Sequence, residues 1–359
     1  MKKTLCCENI HRMLCLFAAA GMMTGCAAYT PVDKTPSKIR IGVTLYDEYD
    51  TFLGELMQCF NQDVFAKQSE GGPEITVNMY GASRNQAIQN DQVKEMINND
   101  CDVLCVNLVD RTAPTEIIDF ARSAGIPVIF FNRELVEEDL LQWDQLYYVG
   151  ADAFQSGTMQ GELAVDAIRS QNGDKNGDGS IQYIVLEGEA GHQDAIVRSE
   201  NSVNRMVELG VKLDKLGYGI ANWNQAQAET KMNQFIDQYG SDIELVLANN
   251  DEMALGAIAA CKSQNIPEKD RPIILGIDGT KTGLQAVKDG EMYGTVFNDS
   301  AGQAQAMFDL AYQLATTGTT DGITLMDGKY IRLDYQKITK DNVDDFIKDN
   351  RSKDNRNGQ

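Results

Sequence analysis

The sequence predicts an α/β protein built as two doubly wound parallel-sheet lobes. Three observations carry this. Short apolar, β-branched runs alternate with stretches of helical periodicity along almost the whole chain, the order that produces a sheet covered by helices. The runs are continuously apolar rather than alternating, as in IRIGVTL at 39–45 and VIFF at 128–131, which fits strands buried on both faces. The pattern then starts again after residue 149, so that 359 residues with 43% hydrophobic content divide into two lobes, each with its own core.

Residues 39–45 read as the first strand and 46–50 as the loop after it. Over 51–67, Phe52, Leu56, Phe60 and Val64 fall on one helical stripe. A strand at 75–79, a helix at 84–98 and a strand at 103–107 follow. The helix at 114–124 carries Pro114 in its first turn, where the fixed φ of proline is an advantage. Strands at 126–131, ending in Asn132-Arg133, and at 145–149 complete the first half. The second half reads as helix 154–170, strand 181–186, helix 192–209, strand 212–218, helix 226–239, strand 244–248 and helix 252–263. Strand 272–277, helix 282–289, strand 293–297, a long helix at 300–316 and a last short strand at 330–334 follow. The polar tail 350–359 is expected to be disordered.

The N-terminus stands apart from this pattern. Lys2, Lys3 and Arg12 flank an apolar run at 14–23 that is too short for a stable transmembrane helix. It ends in Met23-Thr24-Gly25-Cys26, small residues before a cysteine, and resembles a bacterial lipoprotein signal at 1–25 with Cys26 as the lipidated first mature residue. Residues 26–38, with Pro31 and Pro36, read as a tether. Without Lys2, Lys3, Arg12 and Glu8 the formal charge moves from −21 to −23, which repels nucleic acid and anionic lipid. Membrane contact is therefore expected only through the lipid.

Of the eight cysteines, Cys59, Cys101, Cys105 and Cys261 lie beyond Cys26. On one strand Cys101 and Cys105 stand roughly 13 Å apart, too far for a disulfide. No spacing suggests zinc. There is no G-x-G-x-x-G after a strand, no Walker A loop and no G-x-S-x-G, and His192 is the only histidine after the signal. Nucleotide binding and triad chemistry have little to build on.

Two features do carry chemistry. In DKNGDGSIQ, Asp174, Asn176 and Asp178 alternate, Gly179 sits sixth, and Ser180 and Gln182 fall seventh and ninth, the ligand spacing of an EF-hand loop. The twelfth place, which should hold a bidentate Glu, is Val185. A calcium site would need a carboxylate from elsewhere, and the alternative is a solvated turn. Second, polar residues gather where strands end: Asp50, Asn132, Asn249-Asn250-Asp251, Asp278 and Asn298-Asp299, with His192, Asp194 and Arg198 at a helix start. Ligands of open α/β sheets bind at such carboxyl edges, although short Asp and Asn are also helix N-caps. Asp251 and Asp299 read as caps.

With these motifs in view the chain resembles the bacterial galactose/glucose-binding proteins of sugar ABC transport and chemotaxis. RIGVTLYDEYDTF, NDQ at Asn90, VIFFN, YYVGAD, NGDGSIQ, EGEAGHQDA, ANNDEMALGA, GIDGT and GTVFND carry the resemblance, which extends from Ile39 to about Asp349. It implies the type I periplasmic binding protein fold: lobes 39–149 plus 299–333 and 150–298 plus 334–349, joined by three hinge strands, with a monosaccharide between them. It also implies roles. Asp50 matches a carboxylate that accepts from a sugar hydroxyl, and Asn132 an amide donor. His192, Asp194 and Arg198 match a trio on the second lobe, and Asn250, Asp278 and Asn298 the rest of the sugar contacts. Phe52 and Trp223 match aromatics stacked on the two pyranose faces. Asp174, Asn176, Asp178, the Ser180 carbonyl and Gln182 match a structural calcium loop, and Glu244 its bidentate carboxylate. Gly177 and Ser180 depart from the family's loop, and the lipoprotein anchor departs from its cleaved signal and suggests a Gram-positive envelope.

A hexose needs a partner for each buried hydroxyl and a flat apolar surface for its C–H faces. Carboxylates, amides and a guanidinium supply the first, and aromatics the second. Phe52 also suits core packing, whereas Trp223 stands in a polar stretch. The leading expectation is a monomeric, lipid-anchored extracytoplasmic protein that captures D-glucose or D-galactose and delivers it to the membrane subunits of an ABC permease. The alternative is a sensor that presents the hexose to a membrane receptor or histidine kinase. Asp50, Asp194 and Asp278 would allow a glycosidase pair, but the resemblance uses all three as hydroxyl acceptors, so no enzyme is expected. A sugar-responsive repressor would need a DNA-binding helix pair that the sequence lacks.

Overall fold

The structure, a computed structural model, describes residues 36–354. The signal, Cys26, most of the tether and residues 355–359 lie outside the described residues. In chain order the first lobe starts with β1 (Lys38–Leu45), α1 (Thr51–Ser69), β2 (Glu74–Gly81), α2 (Gln86–Asn98) and β3 (Val103–Val106). It continues with α3 (Thr115–Ala124), β4 (Val128–Phe131), α4 (Glu137–Leu140) and β5 (Leu146–Ala151). The chain then crosses and runs through α5 (Ala153–Gln171), β6 (Ile181–Glu187), α6 (Gln193–Glu208), β7 (Leu213–Ile220), α7 (Gln225–Tyr239) and β8 (Leu245–Ala248). Next come α8 (Asp251–Ser263), β9 (Ile273–Leu275), α9 (Lys281–Asp289) and β10 (Gly294–Phe297). It returns for α10 (Ser300–Thr317) and β11 (Tyr330–Leu333), and crosses once more to β12 (Gln336–Thr339) and α11 (Val343–Asp354).

The strands form two six-stranded sheets, ordered β11-β5-β4-β3-β1-β2 and β12-β10-β9-β8-β6-β7. All pairs are parallel except β10 with β12. This is the two-lobed, doubly wound architecture that the apolar runs predict. The chain passes between the sheets three times: after β5, after β10 and between β11 and β12. Each sheet is covered on both faces. In the first lobe Ile39, Ile41, Val43 and Leu45 of β1 pack with Phe52, Leu56 and Phe60 of α1 and with Met307, Phe308 and Leu310 of α10. Phe60 meets the edge of Phe308 at 5.8 Å between ring centroids. Deleting such a ring costs about 3–5 kcal/mol. The opposite face packs Val93 and Met96 of α2 with Ile117 and Ile118 of α3. In the second lobe α5 and α6 cover one face, and α7, α8, α9 and α11 the other.

Two expectations need correction. The sequence places the polar tail from Asn350, but α11 runs through to Asp354. Val343 is buried, and Phe346 and Ile347 pack on the second core. Once that turn is anchored, each further residue adds a hydrogen bond for one residue fixed. Second, β12 is absent from the strand reading. QKIT is half exposed and lies antiparallel at a sheet edge, so it lacks the continuous apolar signature of its neighbours.

Candidate functional site

Because the strands are parallel within each lobe, their carboxyl ends share one edge, and the edges of the two sheets face each other. A cleft lies there, lined by Asp50, Phe52, Asn132, His192, Asp194, Arg198, Trp223, Asn250 and Asp278, together with Tyr46 and Arg133. Asn298 stands behind this wall. Its N–H donates to the Asp278 carbonyl at 2.9 Å, and its Oδ1 accepts from Gln303 Nε2 at 2.6 Å.

Capping and site membership turn out not to be alternatives. Asp50 caps α1, with Oδ1 accepting from the Leu53 N–H at 2.9 Å, while Oδ2 accepts from the Tyr46 hydroxyl at 2.7 Å. Asn250 caps α8 through the Met253 N–H at 2.9 Å. His192 caps α6: its Nδ1 accepts from the Asp194 N–H at 3.1 Å. The proton of the neutral ring is therefore on Nε2, which makes that nitrogen a donor. Burial first, and then Arg133, Arg198 and Arg111, hold His192 well below the usual imidazole range, so it is neutral at physiological pH. Asp299 caps α10 as expected, with Oδ1 accepting from Gly302 at 2.8 Å. Asp251 is not a cap. It is the first residue of α8, fully buried, and accepts from the Thr280 N–H at 2.8 Å and the Thr295 hydroxyl at 2.6 Å. Burial lifts it to about 7.

Several of these side chains are aimed by strained backbone. Asn132, Asn222, Trp223 and Asp278 have φ of 59°, 50°, 61° and 115°, conformations that residues other than glycine rarely adopt. Asp278 is held in place by its N–H to the Val296 carbonyl at 2.8 Å. Asn132 is oriented by buried Asn107, whose Nδ2 donates to its Oδ1 at 3.0 Å. Trp223 lies across Gly188, where any Cβ would strike the indole. Its ring meets His192 edge-on at 5.1 Å.

Arg198 is the centre of the second-lobe side. Only 3% exposed, it donates to the Asn249 carbonyl at 2.8 Å and the Tyr335 hydroxyl at 3.1 Å. It also stands 3.5 Å from Asp194 and 3.6 Å from Asp278. Burial pushes Asp278 well above its usual value and raises Asp194, in both cases against the pull of Arg198. Two carboxylates share one cation, so each keeps acceptor capacity. On the first lobe Arg133 stacks on Tyr46 at 3.5 Å to the ring centroid. It reaches across the cleft to Glu189 at 2.6 Å, and the Lys281 N–H reaches Glu55 at 3.1 Å. The lobes thus meet across the cavity.

Sequence reasoning missed Tyr46, Arg133, Asn107 and Gly188. Arg133 had a signal, standing beside Asn132 at a strand end. Tyr46 closes an apolar run and Gly188 is one glycine among many, so only the fold reveals their roles. Phe52 is buried in the first core and also lines the cavity.

The loop at 174–182 lies away from this cavity. Asp174 closes it, its two oxygens accepting from the N–H of Gly177 and Gly179 at 2.8 and 2.9 Å. Those glycines have φ of 75° and 84°. The Asn176 and Gln182 amides donate to Asp178 at 3.2 and 2.8 Å and are joined at 3.0 Å. Glu244, 1% exposed, accepts from the N–H of Lys175, Asn176 and Gln182 at 2.6, 3.3 and 3.1 Å. Among the described residues no three His, Cys, Asp or Glu side chains form a metal cluster by themselves. The set here is mixed: carboxylates, two amides and the Ser180 carbonyl. Oxygen donors gathered in one glycine-bearing loop fit a hard cation such as calcium.

A ligand chamber at two facing carboxyl edges, walled by donors and acceptors from both lobes, defines a receptor for a small solute. The periplasmic binding protein domain family matches residues 41–320, and the chain belongs to it: it is a substrate-binding protein of the kind that serves transporters, not an enzyme. It is 35% identical to the D-galactose/methyl-galactoside binding periplasmic protein MglB of Haemophilus influenzae, over 86% of this chain and 92% of that one. It is 28% identical to a putative rhizopine-binding protein of Rhizobium meliloti, over 90% and 97%. Among solved structures, an ABC transporter solute binding protein from Bacillus halodurans with bound myo-inositol superposes with a TM-score of 0.72 at 28% identity, covering 87% of this chain and 99% of that one. No helix among the described residues is long and apolar enough to cross a membrane.

Proposed function

We propose that this protein holds one D-glucose or D-galactose in the inter-lobe cavity and, as a monomer, delivers it to an ABC sugar permease. The observation that supports this most is the composition of the wall. Acceptors at Asp50, Asp194 and Asp278, donors at Arg198 and His192, and two-way groups at Asn132 and Asn250 surround a space flanked by Phe52 and Trp223. A neutral ring with hydroxyls around its rim and C–H groups on its faces is the complement of such a wall. The galactose-binding relative adds support for a hexose. Calorimetric titration against a sugar panel, with calcium present, tests the reading. One-to-one binding of glucose or galactose is expected, with a change in Trp223 emission over the background of Trp143. Heat only for a pentose or a non-sugar would overturn the hexose assignment.

We further propose one structural calcium ion held by Asp174, Asn176, Asp178, the Ser180 carbonyl, Gln182 and Glu244. It would join the loop to the start of β8 and stabilise the second lobe by mass action, about 2.7 kcal/mol at a hundredfold excess over Kd. EDTA is expected to lower the melting temperature, and added calcium to restore it. A melt indifferent to both would leave only a hydrogen-bonded turn. The envelope anchor belongs to the same reading: Cys26 is acylated and holds the protein on the outer face of the membrane, in a Gram-positive envelope. Cys26→Ser is then expected to release the protein or leave the precursor uncut, and an unmodified wild-type N-terminus elsewhere would refute it.

A further inference from the structure

Asp251 is fully buried and does not line the cleft, yet it stands next in sequence to Asn250, which does. We propose that Asp251 is a positioning residue for ligand binding: through Thr280 and Thr295 it fixes the turn 276–280 that presents Asp278 to the sugar, a role that rests on the hexose reading of the cleft.

The turn needs outside support. Asp278 and Gly279 follow each other at φ of 115° and 68°, and an aspartate holds such a conformation only where its surroundings impose it. Part of the support comes from β10. The Gly276 N–H donates to the Gly294 carbonyl at 3.1 Å, the Asp278 N–H to the Val296 carbonyl at 2.8 Å, and the Asn298 N–H to the Asp278 carbonyl at 2.9 Å. The far end of the turn is held by Asp251. The Thr280 N–H donates to its Oδ2 at 2.8 Å, and the Thr280 hydroxyl to the same oxygen at 3.2 Å. Oδ1 accepts from the Thr295 hydroxyl at 2.6 Å. Thr295 stands between Gly294 and Val296, the two β10 residues that receive the N–H groups of the turn. One carboxylate thereby joins the end of the turn to the strand that holds its start. Thr280 also caps α9, its hydroxyl oxygen accepting from the Gly283 N–H at 3.1 Å, so the helix beyond the turn is aligned by the same contact.

The chemistry of this junction asks for a carboxylate. Three donors converge on two oxygens, and an ionised carboxylate only accepts. The fit is close: a Cβ at Gly276 would strike Oδ1, and one at Gly283 would strike Oδ2. Neither glycine has a positive φ, so what they supply is space. A carboxylate boxed in this way does not turn toward the cleft, and its influence on a ligand passes through the turn or through its field. The field is felt at Asp278, which burial raises, Arg198 lowers and the Asp251 charge raises again. Thr295→Val breaks one of the three bonds and leaves that charge in place, so it separates the two routes.

Calorimetry of the full chain with D-glucose, D-galactose and their monodeoxy series tests this. Asp251→Ala is expected to weaken the hexose by about tenfold, and by no more than Asp278→Ala does, since positioning cannot lose more than the contact it serves. Thr295→Val is expected to cost about fivefold, and Thr295→Ser, which keeps the hydroxyl, less than about twofold. Each loss should vanish for the monodeoxy hexose that Asp278→Ala spares. In an Asp278→Ala background, Asp251→Ala or Thr295→Val should add less than about twofold. A residue that merely supports the lobe would weaken every deoxy sugar equally and would add its full cost in that background, and either result overturns the proposal. So does wild-type affinity in both Asp251→Ala and Thr295→Val. The melting temperature shows which variants fold, and if Asp251→Ala does not, the two Thr295 variants carry the same comparisons. No heat from the wild type with either hexose refutes the hexose reading instead, so the two failures are distinguishable.

Discussion

Arg198→Met is expected to destabilise the second lobe by about 3–5 kcal/mol, the cost of removing one partner of a buried ion pair. Met fills a similar volume, so cavity formation contributes little. What is lost is electrostatic. Asp278 remains buried without its cation, Asp194 keeps only the weaker pull of Arg133 and Arg111, and the Asn249 carbonyl and Tyr335 hydroxyl lose their donor. For a lobe of this size each kcal/mol is worth about 2–4 °C, so Tm should fall by about 6–20 °C. The pH dependence gives the mechanism away. Both carboxylates already have raised pKa values from burial, and without Arg198 they rise further. A carboxyl whose folded pKa is raised contributes stability at low pH that is lost as pH rises through the folded value. The penalty should therefore be smaller at pH 5 than at pH 8. A melt at pH 8 within 2 °C of wild type would mean that the guanidinium is not what compensates these carboxylates.

How much of this was legible in the sequence depends on what each residue contacts. Parallel strands buried on both faces must be apolar throughout, and so β1, β4, β6 and β8 announce themselves. β12 touches the core with Ile338 alone and leaves Gln336 and Lys337 exposed, so no continuous run marks it. α4 is a single turn and has no room for a period. Asp50, Asn132, Asn250 and Asp278, which line the cavity, were found because polar side chains at strand ends are conspicuous after apolar runs. What stayed hidden is support: Asn107 fixing Asn132, Gly188 seating Trp223, and Thr280 and Thr295 satisfying Asp251. Those roles join residues far apart in the chain, and local pattern contains no trace of them. The question of cap against ligand could not be settled from pattern either. Asp50, His192 and Asn250 show why: an N-cap at the carboxyl edge of a sheet already points one polar atom at the helix and has others for the cleft.

Asp278→Ala is expected to weaken hexose binding by about 10- to 150-fold, the loss of roughly 1.5–3 kcal/mol for a hydrogen bond to a charged group. The position supports a contact role. Asp278 is 7% exposed, lines the cleft and is held at φ 115° by the bond from its N–H to the Val296 carbonyl. Its carboxylate pairs with Arg198 at 3.6 Å, and because Arg198 is shared with Asp194, Asp278 keeps acceptor capacity for a sugar hydroxyl. Two comparisons separate contact from general disturbance. Trp223→Ala should weaken all hexoses alike, because stacking reads a ring face and not one hydroxyl. Asp278→Ala should instead spare the one monodeoxy hexose that lacks the hydroxyl Asp278 accepts from, since that ligand has nothing further to lose. Titrating wild type and variant against the parent sugar and its monodeoxy series measures this directly. If every deoxy sugar loses affinity equally in the variant, Asp278 acts by holding Arg198 in place and makes no contact of its own.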